Sequence, residues 1–274
     1  MNPILEVQNL TKTFHSGPFY KRRAFPAVKG VSFAIEAGKT YGLVGESGSG
    51  KSTIARMVAK LTDPTSGTML FDGNDVTKLS GAELLAYRRN VQIIFQDPYS
   101  ALNPRMTVEQ LIAEPLEIHG LFTPSDRRRR VQKLLDQVGL PQSALQRTPV
   151  SFSGGQRQRI MIARALSLEP RLIIGDEPVS ALDVSVQAQV LNLMRDLQEE
   201  LGLSYLFISH DLSVVEFLSD TVGVMYLGDL VEEGTKERIY NSPQNDYTRR
   251  LISAIPSIKS ADEQMSHSRN RDLS

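Results

Sequence analysis

A glycine-rich stretch with a lysine and two hydroxyl residues has the composition that a bound triphosphate requires. Its nine residues follow the pattern G-x-x-x-x-G-K-[ST] and are Gly45, Glu46, Ser47, Gly48, Ser49, Gly50, Lys51, Ser52 and Thr53. Glycines let the backbone curl around phosphate oxygens and point its N–H groups inward. Lys51 would bring positive charge to the β- and γ-phosphates, and the Ser52 hydroxyl would bind Mg²⁺. These residues predict a nucleotide triphosphate site.

The residues on either side of this phosphate loop predict the elements that hold it. Residues 40–44 form a short, mostly apolar run that is typical of a strand, and residues 54–61 have apolar side chains at helical spacing. A strand, a glycine loop and a helix form the context that the motif needs. The helix start adds a partial positive charge behind the phosphates. These flanking elements argue against the alternative, a flexible Gly/Ser turn.

Three further apolar runs each end in polar residues that could act on a phosphate. The runs are residues 91–95, 172–174 and 205–208, and they lead to Gln96, to Asp176 and Glu177, and to His210. Ligands bind at the carboxyl ends of the strands in an open parallel sheet, so these residues are expected to converge on the γ-phosphate. Asp176 would hold Mg²⁺, Glu177 would orient and polarise the attacking water, and His210 would sense the γ-phosphate.

A second helix start with small residues lies far along the chain. Ser153, Gly154 and Gly155 precede a helical run at residues 160–166 and form a second potential anion-binding helix start. A chain with one phosphate loop does not need two γ-phosphate sites. The economical explanation is that this start, with Gln156, completes the nucleotide site of another subunit. Two chains arranged head to tail would then enclose two ATP molecules.

Composition limits the class of protein. The 274 residues suffice for one domain, with or without a subdomain, and their 41% hydrophobic content is ordinary. Lys+Arg and Asp+Glu both total 31, so no basic excess favours nucleic acid or an anionic membrane. The lack of cysteine excludes disulfides, thiol catalysis and Cys-type metal sites. Neither a signal peptide nor an apolar run of about 18 residues is visible, so we expect a cytosolic protein that reaches a membrane only through a partner.

Alternating strands and helices predict an α/β fold with a mostly parallel core sheet. Residues 4–7 and 31–35 are expected to form an N-terminal antiparallel β-layer, joined by a loop at residues 14–26. An aromatic ring near the phosphate loop could stack on a base. Phe14 is the first candidate, with Tyr20 and Phe25 as alternatives, although covering the small sheet is an equally good interpretation for each.

Amphipathic patterns predict several helices. They lie at residues 107–118, at residues 127–138 with 124–126 as the cap, and at residues 184–201. Residues 221–226 and 230–232 resemble a final hairpin. Four consecutive arginines, residues 127–130, could form a nucleic-acid patch, but a solvated helix face is the better interpretation.

The order of these motifs resembles that of the nucleotide-binding subunit of ABC transporters. The phosphate loop, Gln96, S-G-G-Q at residues 153–156, D-E at 176–177, S-A-L-D at 180–183 and His210 follow one another in this chain. The resemblance implies a P-loop ABC ATPase fold. It implies one nucleotide-binding domain over residues 1–256, with a helical subdomain at about 88–156 that docks a permease. A polar tail, expected to be disordered, would follow at residues 257–274.

The same resemblance implies roles for individual residues. Gln96 would sense Mg²⁺ and contact the permease, and Asp183 would let one nucleotide site report on the other. The signature residues, which would face the partner's ATP, are Ser153, Gly154, Gly155 and Gln156. The implied activity is hydrolysis of ATP with Mg²⁺. Three alternatives are weaker. One cassette and zero net charge argue against a non-transport ABC ATPase, and the presence of both hydrolytic residues argues against a non-hydrolysing regulatory module. A small-molecule phosphotransferase would leave the signature stretch unexplained.

Three stretches look like the oligopeptide and dipeptide importer branch of that family. They are residues 95–104, 176–185 and 247–251. The branch implies a second ATPase chain, two integral-membrane permeases and, indirectly, an extracytoplasmic substrate-binding protein, with no nucleic acid partner. It also implies a peripheral location on the cytoplasmic face of the membrane. Because a cysteine-rich C-terminal motif is absent, the chain resembles the F-type partner rather than the D-type.

Peptide is the expected cargo, and nickel or another small solute is the alternative. The chain departs from the usual pattern of the branch at Val150, Ser151, Gly175, Asn245 and Asp246, none of which is a predicted catalytic position. Whether the second ATPase chain is identical to this one or merely related stays open.

Overall fold

The computed structural model describes residues 3–16 and 23–254. Their strands are β1 (Pro3–Ser16), β2 (Arg23–Glu36), β3 (Thr40–Val44), β4 (Ser66–Phe71), β5 (Asn74–Asp75), β6 (Val91–Ile94), β7 (Leu172–Asp176), β8 (Ser204–Ser209), β9 (Thr221–Tyr226) and β10 (Asp229–Thr235). Their α-helices are α1 (Lys51–Val58), α2 (Gly81–Asn90), α3 (Pro98–Ala101), α4 (Val108–Ile118), α5 (Pro124–Gln137), α6 (Gly154–Leu166), α7 (Val184–Leu201), α8 (Leu212–Leu218), α9 (Lys236–Asn241) and α10 (Asp246–Ser253). Two short 3₁₀ helices, Gln142–Ala144 and Pro149–Ser151, lie between α5 and α6.

The larger sheet is the mostly parallel core that the alternation of strands and helices predicts. Its strand order is β10-β9-β3-β8-β7-β6. Strands β9 to β6 are parallel to their neighbours, and β10 returns antiparallel to β9, which confirms the final hairpin. The carboxyl ends of β3, β6, β7 and β8 therefore lie along one edge, where ligands bind in such sheets.

Alternate residues of the central strands face two separate hydrophobic cores. Tyr205 and Phe207 of β8 pack with residues of α4 to α8, whereas Leu206 and Ile208 pack with α1 and the smaller sheet. Successive side chains of a strand point to opposite faces, so both faces of the core sheet are covered. This double burial explains the unbroken apolar runs in the sequence and fixes the strand ends that carry the polar residues.

The smaller sheet is the expected antiparallel β-layer, with strand order β2-β1-β4-β5. The prediction of a loop over residues 14–26 is wrong at both ends. Strand β1 continues to Ser16 and β2 begins at Arg23, so that Phe14 lies opposite Phe25. Aromatic residues favour strands, and pairs of them across antiparallel strands are stabilising. Tyr20 lies outside the described residues.

Side-chain caps set the starts of two predicted helices. Helix α4 follows Thr107, whose hydroxyl accepts from the Gln110 N–H while the Gln110 side chain accepts from the Thr107 N–H. Helix α5 begins three residues before its predicted start, because Thr123 caps it and Pro124 occupies its first turn. Helix α7 has the predicted bounds.

The four arginines at the start of α5 each lie beside an acidic group. The pairs are Arg127–Glu117 at 3.5 Å, Arg128–Glu109 at 3.5 Å, Arg129–Asp126, and Arg130–Glu169 at 3.0 Å. Arg127 and Arg130 are only partly exposed, so the interpretation as a solvated face is wrong for these two. Their side chains instead reach the carbonyl groups of Leu121 and Leu166.

The range 88–156 contains α3, α4, α5 and both 3₁₀ helices, and it also contains β6 of the core sheet. Helices α3, α4 and α5 pack against α6, which continues beyond residue 156. The division of the chain into a core and a helical subdomain stays a prediction. None of the helices in the described ranges combines the length and the apolar composition that crossing a bilayer requires.

Candidate active site

The phosphate loop joins the end of β3 to the start of α1. Gly45 and Gly50 have φ angles of +148° and +109°, which residues with a Cβ rarely adopt. A Cβ on Gly45 would lie 2.2 Å from the carbonyl oxygen of Met225, and one on Gly50 would lie 2.4 Å from that of Ala27. Glycine is therefore required at both positions by the backbone conformation and by the available space.

The remaining residues of the predicted loop surround these glycines. Glu46, Ser47 and Gly48 are exposed, Ser49 and Lys51 are buried, and Ser52 and Thr53 are half-buried. The Ser49 carbonyl accepts from the Gly228 N–H at 3.0 Å, which ties the loop to the turn between β9 and β10. Helix α1 has Gly50 as its cap residue, and glycine has no side chain to accept from the first N–H groups. Such a helix start leaves its N–H groups and its dipole for an anion.

Lys51 is only 4% exposed and lies inside the loop. Its Nζ donates to the carbonyl oxygens of Gly45 at 2.6 Å and Glu46 at 2.8 Å. Burial lowers the pKa of Lys51, and the nearby carboxylates of Glu177 and Asp176 oppose this effect. The ammonium group is thus held by backbone oxygens, partners that a phosphate can replace.

Ser52 and Asp176 form the pair of oxygen donors that the sequence predicts. The Ser52 hydroxyl donates to Asp176 Oδ1 at 2.8 Å. Asp176 ends β7 and is 8% exposed, and burial raises the pKa of its carboxyl group. Hydroxyl and carboxylate oxygens suit Mg²⁺, which is usually held by one or two carboxylates together with substrate phosphates. The pair fits this cation, which would also offset the cost of burying the carboxylate.

Side chains that follow three strand ends meet at Glu177. Gln96 follows β6, and its Nε2 donates to Glu177 Oε2 at 3.0 Å. His210 follows β8, and its Nδ1 lies 3.0 Å from the same oxygen. The convergence expected at the carboxyl edge of the sheet is therefore present. Gln96 contacts Glu177 rather than Ser52 or Asp176, so its proposed contact with Mg²⁺ stays a prediction.

The backbone of Glu177 is itself unusual. Its φ is +52°, a left-handed conformation that costs a non-glycine residue about 1–3 kcal/mol. Its N–H donates to the Ile208 carbonyl at 2.9 Å, and its carbonyl accepts from the Ser180 hydroxyl at 3.1 Å. Such conformations cluster at active sites, where the surrounding contacts hold them. Here the contacts fix the Glu177 side chain, which is 15% exposed, beside the loop lysine.

The start of α6, predicted as the signature, is capped by its own side chains. Ser153 Oγ accepts from the Gln156 N–H at 3.4 Å, and Gln156 Oε1 accepts from the Ser153 N–H at 3.1 Å. Both residues are exposed. Within the described residues, the hydrogen-bond partners of these two side chains lie in this turn rather than in the phosphate loop.

The signature residues lie next to the predicted inter-site loop. A Cβ on Gly155 would be 2.3 Å from Val186 Cγ1, and one on Gly154 would be 3.2 Å from Leu182 Cδ2. These contacts place the start of α6 against the first turn of α7. Asp183 precedes that turn and is exposed. The structure thus brings the signature and Asp183 together, and their roles stay predictions.

The candidates for base stacking stand on the β1–β2 hairpin. Phe14 is 43% exposed and Phe25 is 60% exposed, and Lys12 Nζ lies 5.2 Å from the centre of the Phe14 ring. Ala27, two residues after Phe25, has its carbonyl oxygen next to Gly50. The hairpin therefore approaches the phosphate loop with exposed aromatic rings. Stacking of Phe14 on a base stays a prediction.

Sequence reasoning missed one residue at the phosphate loop. The hydroxyl of Tyr247, in α10, accepts a hydrogen bond from the Glu46 N–H at 3.1 Å. The two residues are 201 positions apart in the sequence, and no local pattern predicts that they meet. The stretch 247–251 stands out in the sequence only through its resemblance to the importer branch.

Comparison with known proteins identifies the family of this chain. A family model described as ABC transporter matches residues 28–180. Among solved structures, the dimeric post-hydrolysis state of the ATP-binding cassette MJ0796, bound to ADP and Pi, superposes with a TM-score of 0.75. It is 30% identical in sequence, and the match covers 85% of this chain and 98% of that chain.

Two curated relatives match almost the whole chain. The oligopeptide transport ATP-binding protein AppF of Bacillus subtilis is 52% identical over 257 residues, which cover 92% of this chain and 78% of AppF. The dipeptide transport ATP-binding protein DppF of Lactococcus lactis is 52% identical over 257 residues, which cover 93% of this chain and 81% of DppF. This chain belongs to the ABC transporter family and has the fold of its ATP-binding cassettes.

Proposed function

We propose that this chain is the ATP-hydrolysing subunit of a peptide importer of the oligopeptide and dipeptide type. The observation that carries the proposal is the meeting of Gln96 and His210 at the Glu177 carboxylate. A carboxylate with a purely structural role would not need hydrogen bonds from an amide and an imidazole that follow two other strands. The names of AppF and DppF support the choice of peptide as cargo.

The phosphate loop would bind the triphosphate of ATP. Backbone N–H groups of the loop and of the first turn of α1 donate to phosphate oxygens. Lys51 exchanges its bonds to the Gly45 and Glu46 carbonyls for bonds to the β- and γ-phosphates. Ser52 and Asp176 would hold Mg²⁺, which when bound neutralises charge on the β- and γ-phosphates. Phe14 would stack on the adenine ring.

Hydrolysis would be carried out by Glu177. Its Oε2 is held by Gln96 and His210, and the second oxygen of the carboxylate accepts a hydrogen bond from the attacking water. The water oxygen attacks the γ-phosphorus while the bond to the β-phosphate oxygen breaks, giving ADP and phosphate. Lys51 and His210 stabilise the negative charge of the γ-phosphate oxygens during this transfer.

A second ATPase subunit would complete the site. The capping box of Ser153 and Gln156 can open to give its hydroxyl and N–H groups to the γ-phosphate bound by the partner, with Gly154 and Gly155 allowing close approach. Asp183 would report between the two sites. The dimeric, ADP- and Pi-bound state of MJ0796 supports this arrangement. The partner is a second copy or a related D-type chain.

The remaining partners would be two integral-membrane permeases and, indirectly, an extracytoplasmic substrate-binding protein. The chain would lie peripherally on the cytoplasmic face of the membrane, and nucleic acid is not a partner. AppF and DppF are equally identical to this chain but are named for oligopeptides and dipeptides respectively. We therefore assign the choice between these cargoes to the permeases and the binding protein rather than to this chain.

The test uses the assembled transporter in proteoliposomes with its binding protein. Di- and oligopeptides are expected to stimulate ATP hydrolysis and to accumulate inside the vesicles, and Glu177→Gln in this chain should abolish both. Stimulation by nickel ions but not by peptides would replace peptide with a metal cargo. ATP hydrolysis that responds to nucleic acid and to no solute would contradict the transport function.

A further inference from the structure

One side chain of the C-terminal helix α10 reaches the phosphate loop. Tyr247 is 6% exposed, and its hydroxyl accepts from the Glu46 N–H at 3.1 Å. Its ring packs on Tyr226, the last residue of β9, with 4.2 Å between the ring centres and 39° between the ring planes. The hydroxyl is therefore held at the loop by the packing of the ring.

Lys51 and Tyr247 contact the same peptide group. The Gly45 carbonyl accepts from Lys51 Nζ at 2.6 Å, and the N–H of that same peptide, on Glu46, donates to Tyr247. A trans peptide directs its C=O and N–H to opposite sides, so the two side chains hold it from opposite sides. Gly45 has a φ of +148°, and the conformational freedom of glycine would otherwise allow this peptide to rotate.

Binding of ATP would remove one of these two contacts. The proposed function requires Lys51 to turn from the Gly45 carbonyl to the phosphates, and the inference rests on that function. The Gly45–Glu46 peptide then keeps the Tyr247 hydroxyl as its remaining side-chain partner. Rotation of the peptide would break the bond from the Glu46 N–H to Tyr247 and would shift the loop residues that follow, whose backbone N–H groups are the donors to phosphate.

Helix α10 is anchored firmly enough to hold the loop. The Glu232 carboxylate of β10 accepts from the N–H groups of Gln244 at 2.7 Å and Asn245 at 3.0 Å. The Asn245 side chain then caps the helix by accepting from the Tyr247 N–H at 2.8 Å. These contacts fix the first turn of α10, which carries Tyr247, to the edge of the core sheet.

We propose that Tyr247 is a positioning residue of the nucleotide site. Its hydroxyl keeps the Gly45–Glu46 peptide, and with it the phosphate loop, in the conformation that binds ATP, before and after Lys51 moves. Affinity for ATP thereby depends on the docking of the C-terminal helix against β9 and β10.

Tyr247→Phe tests this role, because it removes the hydroxyl and leaves the ring on Tyr226. Without ATP, Lys51 still holds the Gly45–Glu46 peptide, so loss of the hydroxyl costs more in the ATP-bound state. One hydrogen bond contributes about 0.5–1.5 kcal/mol, so the dissociation constant for ATP should rise by up to about two- to twelvefold. The KM for ATP should rise in parallel, while kcat at saturating ATP stays close to that of the wild type. Calorimetric titration with Mg-ATP and steady-state hydrolysis by the full chain measure these values.

Tyr240→Phe is the matched control. The Tyr240 hydroxyl, on the adjacent helix α9, donates to the Leu212 carbonyl of α8 at 2.5 Å rather than to a residue of the phosphate loop. Both variants should melt at a lower temperature without nucleotide, but Tyr240→Phe should keep the wild-type affinity for ATP. Equal affinity in Tyr247→Phe and the wild type would overturn the proposal, as would equal losses in the two variants.

Lys51→Ala separates this proposal from the proposed function. If Lys51→Ala loses ATP while Tyr247→Phe binds it like the wild type, the nucleotide site stands and the positioning role of Tyr247 is wrong. If the wild type does not bind ATP, or Lys51→Ala binds it equally well, both the nucleotide site and the positioning role are wrong.

Discussion

The starts of helices α1 and α6 both begin with small residues, yet they are built in opposite ways. Helix α1 has Gly50 as its cap, and a buried Lys51 lies beside its N–H groups. Helix α6 has an exposed capping box in which Ser153 and Gln156 satisfy each other. The N–H groups at the start of α1 are therefore available to an anion in the isolated chain. Those at the start of α6 are already hydrogen-bonded within the capping box, and a ligand would have to replace these bonds.

This difference matches a division of labour between two subunits. A site that binds ATP in the isolated chain needs free donors and a buried cation, as α1 has. A site that acts only in a dimer must be stable while it is exposed, and a capping box provides that stability. The start of α6 also lies against the residues on either side of Asp183, at the start of α7, which connects the second site to the core of the chain.

The largest expected effects separate the two helix starts. Lys51→Ala should abolish ATP binding by the monomer, because a buried charge that pairs with phosphate is lost. Ser153→Arg should leave ATP binding by the monomer intact and lower kcat on the order of 100-fold or more, since donors to the γ-phosphate are blocked. Calorimetry on the monomer and steady-state hydrolysis measure the two properties.

Thr107→Arg is the control for Ser153→Arg. Thr107 caps α4 through the same kind of capping box with Gln110, so both changes disrupt a helix cap and add the same charge. The control should keep its hydrolytic rate. Loss of ATP binding by the Ser153→Arg monomer would place the signature in the chain's own site and remove the contrast between α1 and α6.

A smaller effect concerns the buried carboxylate beside α1. Burial raises the pKa of the Asp176 carboxyl group in the folded chain. Above that raised pKa the buried carboxylate is charged and lowers the stability of the fold. Well below the ordinary value of 3.8 the group is protonated in both the folded and the unfolded chain, and it has no such effect. Asn can still accept from the Ser52 hydroxyl but carries no charge. Asp176→Asn should therefore raise Tm near pH 7, on the order of 2–4 °C, and the gain should vanish as the pH falls below 3.8.

Thermal melts without nucleotide or divalent cations check this prediction. Hydrolysis of Mg-ATP by the same variant should fall, because a ligand of the cation is lost. A lower Tm near pH 7 would mean that the Asp176 carboxylate stabilises the nucleotide-free chain and does not require a cation to offset its burial.

The parts of this fold that follow from local patterns were predictable. The core strands that contain residues 40–44 and 205–208 are visible in the sequence as apolar runs. Helix α7 is visible because its apolar residues recur at helical spacing. The meeting of Gln96, Glu177 and His210 follows from the rule that parallel strands present their ends at one edge.

The rest depends on contacts that no local pattern encodes. Helix α2 buries little besides Tyr87, so its apolar period is weak, and α8 and α9 are too short to show one. The hairpin of Phe14 and Phe25 is stabilised by pairing across strands rather than by residues next to each other in sequence. The hydrogen bond from the Glu46 N–H to the Tyr247 hydroxyl joins residues that are 201 positions apart in the sequence.

The central claim is that the α6 start completes the ATP site of another subunit, and sizing of the Glu177→Gln protein tests it most directly. This variant should bind Mg-ATP without hydrolysing it. Size-exclusion chromatography with light scattering should then show a monomer without nucleotide and a dimer with Mg-ATP. A dimer that appears only when the related D-type chain is added would assign the second site to that chain. A species that binds ATP but stays monomeric both alone and with the related chain would contradict the claim.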